Sequence, residues 1–249
     1  MKTKTILTMI CAAFAATAFG EASRETFLRK TKPIEKGDVE RDALVASSPL
    51  YRKTMVIIGD SYVANHRRPT EETWHYRLAE KYRMDYYNYG FNGNALILPR
   101  KAKWREPVIE RIDEMHEPAD YVVVIAGHND ANEIGKPGAV EKFAAGLDTL
   151  VAKLRSKYPA AKIVFISPWG VERKGFAEVL GAMRERLPKA GVAFYDAAAL
   201  SGINPNDKEG GKAALWQGSN DTAHLTAEGH AIMLEKMEPF FNELGVGSL

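Results

Sequence analysis

The strongest constraint on the fold is a repeated alternation of short β-type runs and stretches with helical period. Met55-Val56-Ile57-Ile58 is a run of four apolar residues that reads as a strand buried on both faces, and Gly59-Asp60-Ser61 ends it. Met84 to Tyr89, Tyr121 to Ala126, Ile163 to Ile166 and Val192 to Tyr195 repeat the pattern, and YVVVIA at 121–126 is the most β-prone of them. Between them, Trp74, Leu78 and Tyr82 recur at i, i+4, i+8, and Val140, Phe143, Ala144, Leu147, Val151 and Leu154 keep a helical period. Phe176 to Leu187 and Trp104 to Met115 also read as helices. A final helix opens at Leu225-Thr226 with Thr226 as cap and Met233, Met237 and Phe240 inward; Pro239 is expected to bend or shorten it. Strands that alternate with helices imply a parallel sheet covered on both faces. The expectation is a three-layer α/β/α sandwich on a five-stranded parallel sheet. Right-handed crossovers would then bring the ends of the strands to one edge.

The ends of the chain bound its setting. Lys2 and Lys4 precede an uncharged, mostly apolar run from Ile6 to Phe19, and Ala16, Ala18 and Gly20 offer small residues for cleavage. Residues 1–20 are expected to be a signal peptide, which implies a secreted or periplasmic protein. Its run is too short to span a bilayer. The single cysteine, Cys11, lies inside it, leaving the mature chain no disulfide and no thiol nucleophile. Lys2 and Lys4 leave with the signal, so the 34 basic and 32 acidic residues of the full chain become equal in number. That balance gives no electrostatic footprint for nucleic acid or an anionic membrane. Glu21 to Arg52, highly charged and poor in apolar anchors, reads as a surface arm with at most one helical turn. Residues 53–249 are expected to form the single domain.

Acyl transfer to serine needs a nucleophile, a base, a group to orient the base, and donors for the oxyanion. Ser61, at the carboxyl end of the first strand, can be the nucleophile. Asp221-Thr222-Ala223-His224 can supply the rest: a spacing of three lets the Asp221 carboxylate reach the Nδ1–H of His224 and leaves Nε2 for the serine. Gly93 allows close approach of a backbone N–H, and the Asn129 amide adds a neutral donor from a neighbouring strand end.

Together Gly59-Asp60-Ser61, Asn88 through Gly93-Asn94, Gly127-His128-Asn129-Asp130 and Asp221-Thr222-Ala223-His224 resemble the four blocks of the SGNH (GDSL-type) hydrolases, in order, over roughly residues 54–242. The resemblance implies a flavodoxin-like fold and a serine esterase needing no metal or cofactor. It implies Ser61 as nucleophile, Asp221 and His224 as its partners, and the N–H groups of Ser61 and Gly93 with the Asn129 amide as the oxyanion hole. Gly93 is preferred to Gly90 from its spacing after Asn88. One departure is Tyr62, where the family commonly has leucine.

Other readings of these residues are plainer. His66, His75, His116 and His230 read as surface or packing residues, and His128 as a polar wall of the cleft. His128, Asp130, Asp60, Asp221 and His224 lack the close spacing of metal ligands. Asp60 is expected to hold its own turn by accepting backbone N–H bonds. Trp104, Trp169 and Trp216 are core or lid residues by default, Trp216 being the candidate sugar-stacking platform. The expected substrate is a short O-acyl ester on a carbohydrate, with a lipid or aryl ester as the alternative and a glycan-binding relative as the non-enzymatic one. Leu96-Ile97-Leu98 is the main feature favouring a lipid pocket, although it could equally tether its loop.

Overall fold

The computed structural model describes residues 38–101, 104–170, 173–204 and 212–247. Five parallel strands, β1 (Thr54–Gly59), β2 (Asp85–Gly90), β3 (Tyr121–Ile125), β4 (Lys162–Ile166) and β5 (Ala193–Tyr195), lie in the order β2-β1-β3-β4-β5. Helices are α1 (Asp38–Val45), α2 (Ser61–Ala64), α3 (Trp74–Lys81), α4 (Ala139–Lys157), α5 (Phe176–Lys189), α6 (Ala197–Leu200) and α7 (Ala227–Val246). The three-layer sandwich expected from the sequence is therefore present, with YVVVI at its centre.

Side chains alternate across a strand, so each strand feeds two cores. Val56, Ile58, Val122, Val124, Ile163 and Phe165 pack against Phe143, Leu147 and Leu154 of α4 and Val179, Met183 and Leu187 of α5. Met55, Ile57, Val123, Ile125, Val164 and Ile166 pack on the other face with Trp74 and Leu78 of α3 and Met233, Met237 and Phe241 of α7. The strand order reverses between β1 and β3, which opens a crevice at their carboxyl ends. The two ends approach closely: a Cβ on Gly59 would stand 1.9 Å from the Ile125 carbonyl oxygen, so only glycine fits.

Four expectations change. The arm is not wholly on the surface. α1 makes two turns, Asp42 pairs with Arg83 at 2.9 Å, Leu50 is fully buried, and Ser48 Oγ donates to Asn242 Oδ1 at 2.8 Å. Residues 1–20 and the start of the arm lie outside the described residues. Trp104 to Met115 is no helix but two 3-10 turns, Val108–Glu110 and Ile112–Glu114. The Val108 and Ile109 N–H groups donate to the carbonyls of Ala95 and Leu96, and Pro107 has no N–H to give. Thr73 caps α3, accepting from Tyr76 N–H. Pro239 does not shorten α7, because Met237 and Phe241, buried on either side of it, keep both halves on the sheet. Phe241 rather than Phe240 takes the fully inward position. No helix among the described residues is long and apolar enough to cross a membrane.

Candidate active site

Ser61 opens α2 directly after β1. Asp60 caps that turn, its Oδ1 accepting from Tyr62 N–H at 2.9 Å, and so fixes where the serine leaves the sheet. From the other side comes the loop ahead of α7. Gln217 N–H donates to the His224 carbonyl, and Trp169 Nε1–H to the Ala223 carbonyl at 2.9 Å, so the Asp221–His224 turn is pinned at both faces. The result is one hydrogen-bonded line. His224 Nε2 stands 2.8 Å from Ser61 Oγ, and His224 Nδ1 2.8 Å from Asp221 Oδ2. Asp221 Oδ1 also accepts from the N–H groups of Ala223 and His224. Burial works against the Asp221 charge, but the His224 ring N–H and these two backbone donors outweigh it and hold the carboxyl well below its usual range. An ionised Asp221 favours the His224 tautomer that carries its proton on Nδ1, which turns the Nε2 lone pair toward Ser61 Oγ.

The donors expected for an oxyanion converge on the same edge. Asn129 Nδ2 donates to the Asn94 carbonyl at 2.9 Å and to Asp60 Oδ2 at 3.2 Å, which places the amide between the Gly93 loop and the Ser61 turn. Among the described residues the Ser61 and Gly93 N–H groups meet no acceptor. Gly93 sits at φ +78, and a Cβ there would stand 2.3 Å from the Trp104 ring, so the position requires glycine. Gly90, by contrast, ends β2 and lets α2 pack closely.

Residues 57–232, more than two thirds of the chain, match the GDSL-like Lipase/Acylhydrolase family. The protein belongs to this family. Solved structures of the same fold include a protein from Lactobacillus plantarum (20% identity, TM-score 0.63) that covers 78% of this chain and 98% of its own. The aryl esterase of M. smegmatis is similar at 16% identity and TM-score 0.60, over 77% and 99%. Est24, a carbohydrate acetylesterase from Sinorhizobium meliloti, is similar at 20% identity and TM-score 0.55, over 76% and 100%. No curated protein matches the chain. This GDSL-type chain is thus a carboxylic ester hydrolase.

Several residues around that line were not legible as functional. His66 stacks on the His224 ring, with centroids 4.0 Å apart and planes at 11°. It reaches that place through two successive left-handed residues, Asn65 and His66, a turn held by Asn65 Nδ2–H donating to the Pro69 carbonyl. Burial, then His224 and Arg67, lower the pKa of His66, which favours its neutral form. Arg100 Nη1 donates both to Gly93 O (2.6 Å) and to Asn129 Oδ1 (3.1 Å), and its guanidinium lies over Trp104. That contact occupies Oδ1 and so fixes the amide with Nδ2 toward Asp60 and Asn94. Tyr62, the departure from the family pattern, is buried against Trp169 and hydrogen-bonds His128 Nδ1 at 2.9 Å. Burial pushes His128 down to about 3, so it is a neutral prop behind the cleft.

Trp216 does not form a platform. It is 4% exposed in the α3/α7 core and bridges to Leu225, because its loop turns back antiparallel before α7. Asp60 holds its turn as expected, while burial first, and then Asp130, lift its carboxyl to about 7. Leu96-Ile97-Leu98 is a tether: the three N–H groups donate to the Asp130 carboxylate at 2.7–2.8 Å, and all three side chains are buried. His66, Asp221 and His224 do bring possible ligand atoms within 4.8 Å of one another. Imidazole lone pairs lie in the ring plane, however, and two stacked rings aim theirs in parallel instead of at one ion.

Proposed function

We propose that this esterase removes short acyl groups, acetyl above all, from carbohydrates, with Ser61 as nucleophile, His224 as base and acid, and Asp221 as its orienter. Ser61 Oγ attacks the ester carbonyl while its proton passes to His224 Nε2. The oxyanion is taken by the N–H groups of Ser61 and Gly93 and by Asn129 Nδ2–H, which exchanges its Asp60 contact for the new charge. Collapse breaks the bond to the sugar oxygen, which leaves with the proton from His224. Water, deprotonated by His224, then releases the acid and restores Ser61.

The observation that carries the short-acyl reading is the tether. Leu96-Ile97-Leu98, the run that favoured a lipid channel, spends its side chains in the core and its N–H groups on Asp130. A lipid-acyl pocket needs a sizeable apolar lining. The likeness to a protein described as a carbohydrate acetylesterase supports the acceptor class. A complete nucleophile–base–acid line argues against a glycan binder, which has no use for one.

The test is kcat/KM on p-nitrophenyl esters of increasing length together with acetate release from acetylated saccharides. The expected profile peaks at acetate or propionate. Activity climbing steadily to octanoate, with no acetate from any glycan, would transfer the protein to the lipid-esterase class. We further propose export after removal of residues 1–20, which N-terminal sequencing of the mature protein checks.

A further inference from the structure

Two guanidiniums border the oxyanion side of the cleft, and neither meets a carboxylate among the described residues. Arg173 Nη1 donates to the His128 carbonyl at 3.1 Å, and Arg100 Nη1 to Asn129 Oδ1 at 3.1 Å. His128 and Asn129 are consecutive, so two positive charges from different loops close on the same short segment. Several other arginines find acids: Arg83 with Asp42, Arg184 with Asp196, Arg186 with Asp148. Arg100 and Arg173 form no ion pair among the described residues, although both are half-buried.

Their remaining donors are unspent. A guanidinium offers five N–H groups in a planar fork matched to a carboxylate. Here each uses only Nη1 on protein acceptors, and the Nε and Nη2 atoms of both are not sealed from water. Burial and the nearby Arg100 charge both work against the charge on Arg173, and Asp60 offsets this only in part. Placing like charges together with only partial compensation costs energy that a bound anion would recover. The same sign continues around the cleft. Arg67, Lys101 and Lys174 are exposed on the three loops that carry His66, Arg100 and Arg173, and none of them forms an ion pair among the described residues.

We infer that Arg100 and Arg173 form a carboxylate-recognition site beside the reacting ester, so that the preferred substrate is an O-acylated acidic saccharide of the uronate type. The saccharide part rests on the proposed function above; the charge part does not. Arg173 is the specificity residue, since Arg100 also positions Gly93 and Asn129.

The test uses two matched pairs, each differing in one charge. The first is acetylated galacturonan oligosaccharides against the same oligosaccharides with methyl-esterified carboxylates. The second is 4-acetoxybenzoate against its methyl ester, with rates normalised to alkaline hydrolysis. Acetate release is followed throughout. At low ionic strength the charged member of each pair should be favoured about tenfold or more in kcat/KM, the scale of one charge-assisted hydrogen bond. Added salt should shrink that ratio. Arg173→Gln should bring the ratio close to one, mainly through KM, while Arg173→Lys retains most of it. Equal kcat/KM within both pairs, or a preference that survives Arg173→Gln, overturns the site. Charge-blind cleavage of the oligosaccharides would do so while leaving the carbohydrate reading standing. Charge preference on the benzoates with no acetate from either galacturonan would uphold the site and overturn the saccharide.

Discussion

Asp130→Ala is the substitution whose cost the structure fixes most directly. Asp130 is fully buried and accepts the N–H groups of Leu96, Ile97 and Leu98. Removing the carboxylate orphans three buried donors at about 1–3 kcal/mol each, or about 6 kcal/mol in all. One gain offsets part of this. Burial, only partly countered by those N–H bonds, lifts the Asp130 pKa from 3.8 to about 6. Ionising Asp130 in the folded protein therefore costs about 3 kcal/mol at neutral pH, and alanine escapes that cost. The sign follows from linkage: a carboxyl whose folded pKa is raised contributes stability in full below its unfolded value and loses it as pH rises through the folded one. The variant should thus be less stable by about 6 kcal/mol near pH 4 and by about 3 kcal/mol at pH 7. At pH 7 that lowers Tm by roughly 6–12 °C for a domain of this size. Calorimetry across pH 4–8 measures it. Because the tethered loop also carries Gly93 and Arg100, kcat on a short ester should fall while KM holds. A Tm within about 2 °C of the parent at pH 7, or a deficit that grows with pH, would refute this account of the tether.

Three further outcomes follow from the cleft. Asn129→Ala should lower kcat by roughly 10²–10³ with little change in KM; a rise in KM at constant kcat would make Asn129 a ground-state binder. Arg100→Gln, which frees the Gly93 carbonyl and the Asn129 amide, should cost roughly tenfold in kcat on a neutral ester, less than loss of the donor itself. Steady-state kinetics equal to the parent would show that those two groups need no clamp. His66→Ala removes the ring stacked on His224, and at about 0.5–1.5 kcal/mol for such a pair should reduce kcat by roughly two- to tenfold; a change confined to KM would assign His66 to substrate contact instead.

Local patterns carried most of what the sequence by itself determined. The strand–helix alternation and the two-residue period inside each strand fix a doubly covered parallel sheet, because both depend only on neighbours along the chain. Asp221 and His224 were legible for the same reason: the turn that joins them spans three residues, and their hydrogen bond closes within it. The carboxyl-edge rule for open sheets then brings Ser61 and Asn129 to one crevice.

Where a residue's partner was remote, only the tertiary structure decided. Val108, Ile109, Ile112 and Met115 are buried as their pattern suggests, yet the N–H groups of Val108 and Ile109 go to the Ala95–Leu96 strip, which no helical period reveals. Trp216 carries the composition of a sugar platform but is turned inward by its bridge to Leu225. Leu96-Ile97-Leu98 could be pocket or tether on sequence alone, and Asp130, more than thirty residues on, settles it with three hydrogen bonds. His66 reads as a surface histidine until the left-handed turn at Asn65 lays it on a ring 158 positions away in number and 4.0 Å away in space. Burial and long-range contact choose among the roles that a side chain's chemistry allows, and neither is a property of the residues beside it.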